Sequence, residues 1–92
     1  MGFAPLGGEV MVVNETSAIK DAYYVSLLYE LHIAREKLRL FEAKYRKNLA
    51  EFEKEVVSGK EDFEKWDDYL EWKAYVKLVE DLEKKKQQLE LK

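Results

Sequence analysis

Apolar residues recur by threes and fours along most of the chain. Tyr24, Leu27, Leu31, Ala34, Leu38, Phe41 and Tyr45 form one row, and Leu49, Phe52 and Val56 extend it after two successive four-residue steps. Such spacing marks one face of an α-helix, and a sustained seam of this kind resembles a coiled coil. The doubled step around Tyr45 and Leu49 predicts a stutter, where the supercoil unwinds locally. A first helix is therefore expected over 18–57, with Thr16 or Ser17 accepting bonds from its free N–H groups. Ser58, Gly59 and Lys60 stop it, since glycine suits the left-handed position just past a helix end. Glu61 and Asp62 then place negative charge on the positive end of a second helix, expected over 61–90. At 1.5 Å per residue the two helices would run roughly 55 to 60 Å and roughly 40 to 45 Å.

The second helix carries two apolar stripes. Phe63, Trp66, Leu70, Ala74 and Leu78 form the one expected to meet the first helix. Tyr69, Trp72, Val76 and Val79 form the other, with Tyr75 and Leu82 bridging between them. On the first helix Val25, Leu28, Tyr29, Ile33 and Leu40 also lie off the main seam. Apolar residues on both sides of a helix imply burial on both sides. An antiparallel turn near Gly59 would merge the extra surfaces into one patch, which makes Tyr69, Trp72, Tyr75, Val76, Val79, Tyr29 and Ile33 the candidate protein-binding residues. A patch of that size calls for a partner. Two copies could cover it by closing a four-helix bundle as a homodimer. Trp and Tyr would equally serve as a hot spot for a different protein.

Residues 1–17 read as an N-terminal extended arm. MGFAPLGG holds the only proline and three of the four glycines, EVMVV at 9–13 has the β-branched character of a strand, and Asn14 to Ser17 form a polar break. The expected fold is thus all-α: one domain over 1–92, a long antiparallel helical hairpin of two helices with a short extended arm.

Composition narrows the function classes. A chain of 92 residues buries only about 60% of the surface its unfolded form exposes, which favours self-association. With no cysteine, disulfides and thiolate metal sites are excluded. No signal-like segment or membrane span is evident, which points to the cytoplasm. A net charge of −3 with 38% charged residues, mixed in sign, fits a solvated helical surface and disfavours polyanion binding by the whole chain. Abundant Lys and Glu with few Asn and Gln resemble the composition of hyperthermophile proteins.

The basic segment 35–47 is the one candidate for nucleic acid, through Arg35, Arg39, Arg46 and Lys47. Its competing role is internal: Glu71, Glu80, Asp81 and Glu83 of the second helix would lie alongside and compensate it. The acidic run from Glu51 to Asp68 surrounds the turn, as a solvated helix end or as a surface for a basic protein. His32 is the only histidine, and one imidazole beside Glu36 does not make a metal site. No phosphate-binding glycine pattern, nucleophile elbow or other catalytic arrangement occurs, and no cofactor is expected. Small helical chorismate mutases are similar in length and in their long first helix. Arg35 and Arg39, however, lie beside the seam, and that family's spacing of cations is not reproduced. No enzymatic activity is expected.

The segments YYVSLLYELHIAREKLRLFEAKY and EDFEKWDDYLEWKAY resemble a group of small archaeal helical-hairpin proteins associated with toxin–antitoxin pairs, over residues 23–75. The resemblance implies an antitoxin-like regulator that binds and neutralises a partner toxin, with Tyr69, Trp72 and Tyr75 as contacts and no catalytic residue. A DNA-binding module is not expected, because the residues ahead of the first helix are too few for a helix-turn-helix. A ribbon formed by pairing EVMVV across a dimer would offer no Arg, Lys, Asn or Gln to base edges. Two other readings stand beside the protein-binding one: a structural or chaperone-like coiled-coil oligomer, and nucleic-acid binding through 35–47.

Overall fold

The computed structural model describes the backbone of residues 3–91 and, within it, the side chains of residues 18–91. Among the described residues the chain is all helical: α1 (Phe3–Tyr45), α2 (Leu49–Ser58) and α3 (Phe63–Glu90). Three polar links fix the antiparallel packing of α1 on α3. Tyr24 donates its hydroxyl hydrogen to Glu90 at 2.8 Å, Arg35 reaches Glu83 at 3.0 Å, and Lys44 reaches Asp68 at 2.7 Å. The partners ascend on one helix and descend on the other.

The extended arm and the strand at 9–13 are corrected: α1 passes through both without a break. An isolated strand has nothing to receive its ladder hydrogen bonds, whereas a helix satisfies its own. Against that, β-branched residues cost a helix at most about 0.7 kcal/mol each. Pro5 falls in the first turn, where the missing N–H would have had no helical acceptor. Met1 and Gly2 of the predicted arm lie outside the described residues.

The single helix over 18–57 is also corrected. It breaks at residues 46–48, at the predicted stutter, but the register shift is absorbed by ending one helix and starting another. Arg46 closes α1 in the left-handed region with φ 54, its N–H donating to Glu42 O at 2.7 Å. Asn48 then caps α2: its side-chain oxygen accepts from the Glu51 N–H at 2.9 Å, and Glu51 accepts from the Asn48 N–H at 3.0 Å. This reciprocal capping box satisfies two donors that a new helix end would otherwise leave free. Gly59 does follow the end of α2, yet with φ −89 and ψ −176 it is extended rather than left-handed. Glycine is required there by space: a Cβ would sit 2.7 Å from Glu55 O. Asp62 caps α3, accepting from the Lys65 N–H at 3.2 Å, so that helix begins at Phe63.

Packing divides into two clusters. At the turn end, Phe41, Phe52, Val56, Tyr69 and Trp72 are buried together. Towards the other end, Leu27, Leu31 and Leu82 form a smaller one, flanked by Val79 and Leu89. The α1 seam faces inward as its spacing predicts. On α3 the faces are exchanged: Tyr69 and Trp72 point inward with Tyr75, Val76 and Val79, while Phe63, Leu70, Ala74 and Leu78 are exposed. The reason is aromatic. Trp72 stacks on Phe41 with centroids 5.5 Å apart and on Phe52 at 5.4 Å, and Tyr45 closes the group 4.1 Å from Phe52. Offset aromatic pairs contribute about 0.5–1.5 kcal/mol each beyond area burial, and on the other stripe only Leu70, Ala74 and Leu78 follow Trp66 along the helix.

Candidate protein-binding face

Helix α2 covers one side of the α1/α3 pair. Leu49 lies beside Lys73, Val76 and Lys77, and Val56 lies with Lys65 and Trp66 nearer the start of α3, so α2 runs antiparallel to α3. The opposite side is open. There Tyr29 and Ile33 of α1 and Tyr75 and Leu78 of α3 line a shallow groove floored by Ala34. Tyr29 is 66% exposed and Ile33 and Leu78 are 40% exposed each. Leu40, seven residues beyond Ile33, continues the same side of α1 and is exposed as well. This is a plane of apolar side chains between two helices, with no third helix above it.

The α3 stripe is not flat on that face. Trp66, Leu70, Ala74 and Leu78 step by four, and each such step advances about 40° around the helix axis. Trp66 therefore sits on the side of α2, Leu78 on the open side, and Leu70 and Ala74 between them.

Of the seven predicted protein-binding residues, Tyr29, Ile33 and Tyr75 come together in the groove. Val76 and Val79 are half-buried against the core clusters. Tyr69 and Trp72 are core residues, so their reading as surface contacts, which the resemblance implied, is corrected: Trp72 is 2% exposed. Leu78, which its spacing places on the inward stripe, belongs to the groove; the signal for it is that Tyr75 and Leu78 are one turn apart with the off-seam Ile33 opposite them.

The basic segment is largely neutralised within the chain. Arg35 pairs with Glu83 as the antiparallel register predicts, Arg39 with Glu36 one turn earlier, and Lys47 with Glu55. Arg46 is exposed in the α1–α2 connection. Lys44 bridges Asp68 and Glu64, which raises its pKa above the ordinary lysine value. Burial, then its hydrogen bond to Asp68, pushes the Tyr45 hydroxyl up to about 12. Burial alone would raise the Asp68 carboxyl, but the hydrogen bonds from Lys44 and Tyr45 outweigh it and hold it below the usual range. Glu55 is likewise lowered, chiefly by Lys47, with Lys65 assisting against desolvation. These groups pin α1 and α2 to the start of α3, and each hydroxyl or ammonium faces a carboxylate rather than a cavity. His32 is exposed. Among the described residues no helix is long and apolar enough to cross a membrane.

No protein-family model matches the chain, and neither a curated protein nor a solved structure matches it.

Proposed function

We propose that the chain is a non-enzymatic helical protein-binding module that pairs with a second copy across the open face of α1 and α3, closing a four-helix bundle. One observation carries the reading: Tyr29, Ile33, Leu40 and Leu78 stand exposed on one side of a layer only two helices deep. The molecule measures 74 × 25 × 17 Å, and a helix with its side chains is about 10–12 Å across. A second layer is what such a plane requires.

An antitoxin-like role suits such a module, because neutralising a partner needs a surface and no chemistry. Nucleic-acid binding is the weaker reading, since Arg35, Arg39 and Lys47 already face carboxylates of the chain itself.

Light scattering on a sizing column tests the pairing. The native chain should elute at twice its 10.9 kDa mass, and Ile33→Glu with Leu78→Glu should elute as a monomer while keeping its far-UV helical signal. A native monomer at all concentrations, or a dimer indifferent to both charges, overturns the reading.

A further inference from the structure

A second apolar surface stands where α2 meets α3, away from the pairing face and independent of it. Val57 is 65% exposed, Phe63 75% and Trp66 36%. The Trp66 ring meets Tyr69 edge-on with centroids 5.8 Å apart. The Tyr69 hydroxyl in turn donates to Glu53, one turn before Val57 on α2. Phe63 lies one turn before Trp66 on α3. Phe63 and Trp66 thus lie on one side of α3 and Val57 on the side of α2 that Glu53 marks, with a cleft bounded by Gly59, Asp62, Lys65 and Trp66 between the two helices.

The surroundings are acidic. From Glu51 to Asp68 eight carboxylates stand against three lysines, and with Lys44 and Lys47, which reach in from α1 and the α1–α2 connection to Glu64, Asp68 and Glu55, the local balance is −3. One of those lysines, Lys65, is engaged with Glu55. Glu61 and Asp67 flank Phe63 and Trp66 in sequence, and both are exposed. An aromatic surface inside a negative field repels nucleic acid and attracts a cationic, partly apolar segment.

We propose that this end of the molecule docks a basic amphipathic helix of another protein, its apolar side seated on Val57, Phe63 and Trp66 and its Lys or Arg residues facing Glu53, Glu61 and Asp67. A second copy of this chain fits less well. Most of its own basic segment is engaged internally, Arg35 with Glu83, Lys44 with Asp68 and Lys47 with Glu55, and its exposed cations, such as Arg46, Lys84 and Lys85, would reach this surface only by self-association, which the test below reads out.

The test titrates the ¹⁵N-labelled full chain with a synthetic amphipathic peptide carrying leucines on one helical face and lysines on the other. A counterpart with every lysine replaced by glutamate serves as control. Amide shifts should centre on residues 53–70 with the basic peptide and be absent with the acidic one. Affinity should fall as salt is raised, because exposed charges are screened. Phe63→Ala, at a side chain that is three-quarters exposed and so outside the core, and Glu61→Lys with Asp67→Lys should each weaken binding by about tenfold. The Ile33→Glu, Leu78→Glu chain should bind like the native one, so loss of pairing and loss of docking are separate results. Equal binding of the acidic peptide, shifts centred on Ile33 and Leu78, or no binding at about millimolar peptide would overturn the proposal. So would self-association that Phe63→Ala abolishes.

Discussion

Replacing Trp72 by alanine should cost far more than replacing Trp66, although the two stand six residues apart on one helix. Trp72 is 2% exposed and packs on Phe41, Phe52 and Tyr45. Truncating a buried Trp removes about 3–5 kcal/mol by lost transfer energy and residual cavity. This site lies at the upper end, because three ring contacts vanish together and the neighbours belong to two other helices. Natural domains hold about 0.05–0.15 kcal/mol per residue, so the loss is a large fraction of the total. With a urea slope of about 1.5 kcal/mol per molar, the midpoint should drop by roughly 3 M. Trp66→Ala removes a side chain that is 36% exposed and meets Tyr69 edge-on, and its cost should stay at about half that of Trp72→Ala or less. The assay is urea unfolding followed by circular dichroism, all chains at one protein concentration because pairing adds a mass-action term. A Trp72→Ala loss below about 1 kcal/mol, or equal losses for the two variants, would refute the assignment of the inward face of α3.

Arg46→Gly relieves a left-handed backbone of about 1 kcal/mol, less the extra freedom of glycine in the unfolded chain. Thermal unfolding should show a gain of roughly 0.5 kcal/mol, and a loss would mean that the Arg46 side chain contributes more than its backbone costs. Gly59→Ala should destabilise by about 1 kcal/mol or more, read from the same melts, because its Cβ would press on Glu55 O. Asp68 and Glu55 have folded-state pKa values below their ordinary ones. Their contribution is therefore present above the usual carboxylate range and is lost as pH falls through the lowered values. Urea midpoints should decline below about pH 4, and Asp68→Asn should flatten that decline; an unchanged slope would remove Asp68 from the account.

Much of α1 is legible in its letters. Leu27, Leu31, Ala34 and Phe41 are buried where their spacing places them, and Arg35 meets Glu83 as the antiparallel register requires. The face of α3 is not, because both of its stripes are apolar and period alone cannot rank them. What decides is convergence in space: Phe41, Tyr45 and Phe52 come from two helices to meet Trp72, and no local window contains that fact. The break at 46–48 had a signal, Asn48 with Glu51 three residues on, which is a capping box. It was masked by a seam whose rhythm runs on through Leu49 as though nothing intervened. EVMVV shows the opposite failure, a local preference overruled by the lack of any strand to pair with.

The two unequal clusters make the molecule thick at one end and thin at the other, and that asymmetry should appear in time as well as in space. Five buried residues from three helices hold the turn end, whereas three from two helices hold the far end. Amide protons of α3 beyond Leu82 should exchange through partial openings that leave Phe52 and Trp72 in place, while those near Trp72 await unfolding of the whole chain. The last turns of α3 then behave as a hinged flap on a fixed base, able to part from α1 and close again while the aromatic end stays assembled.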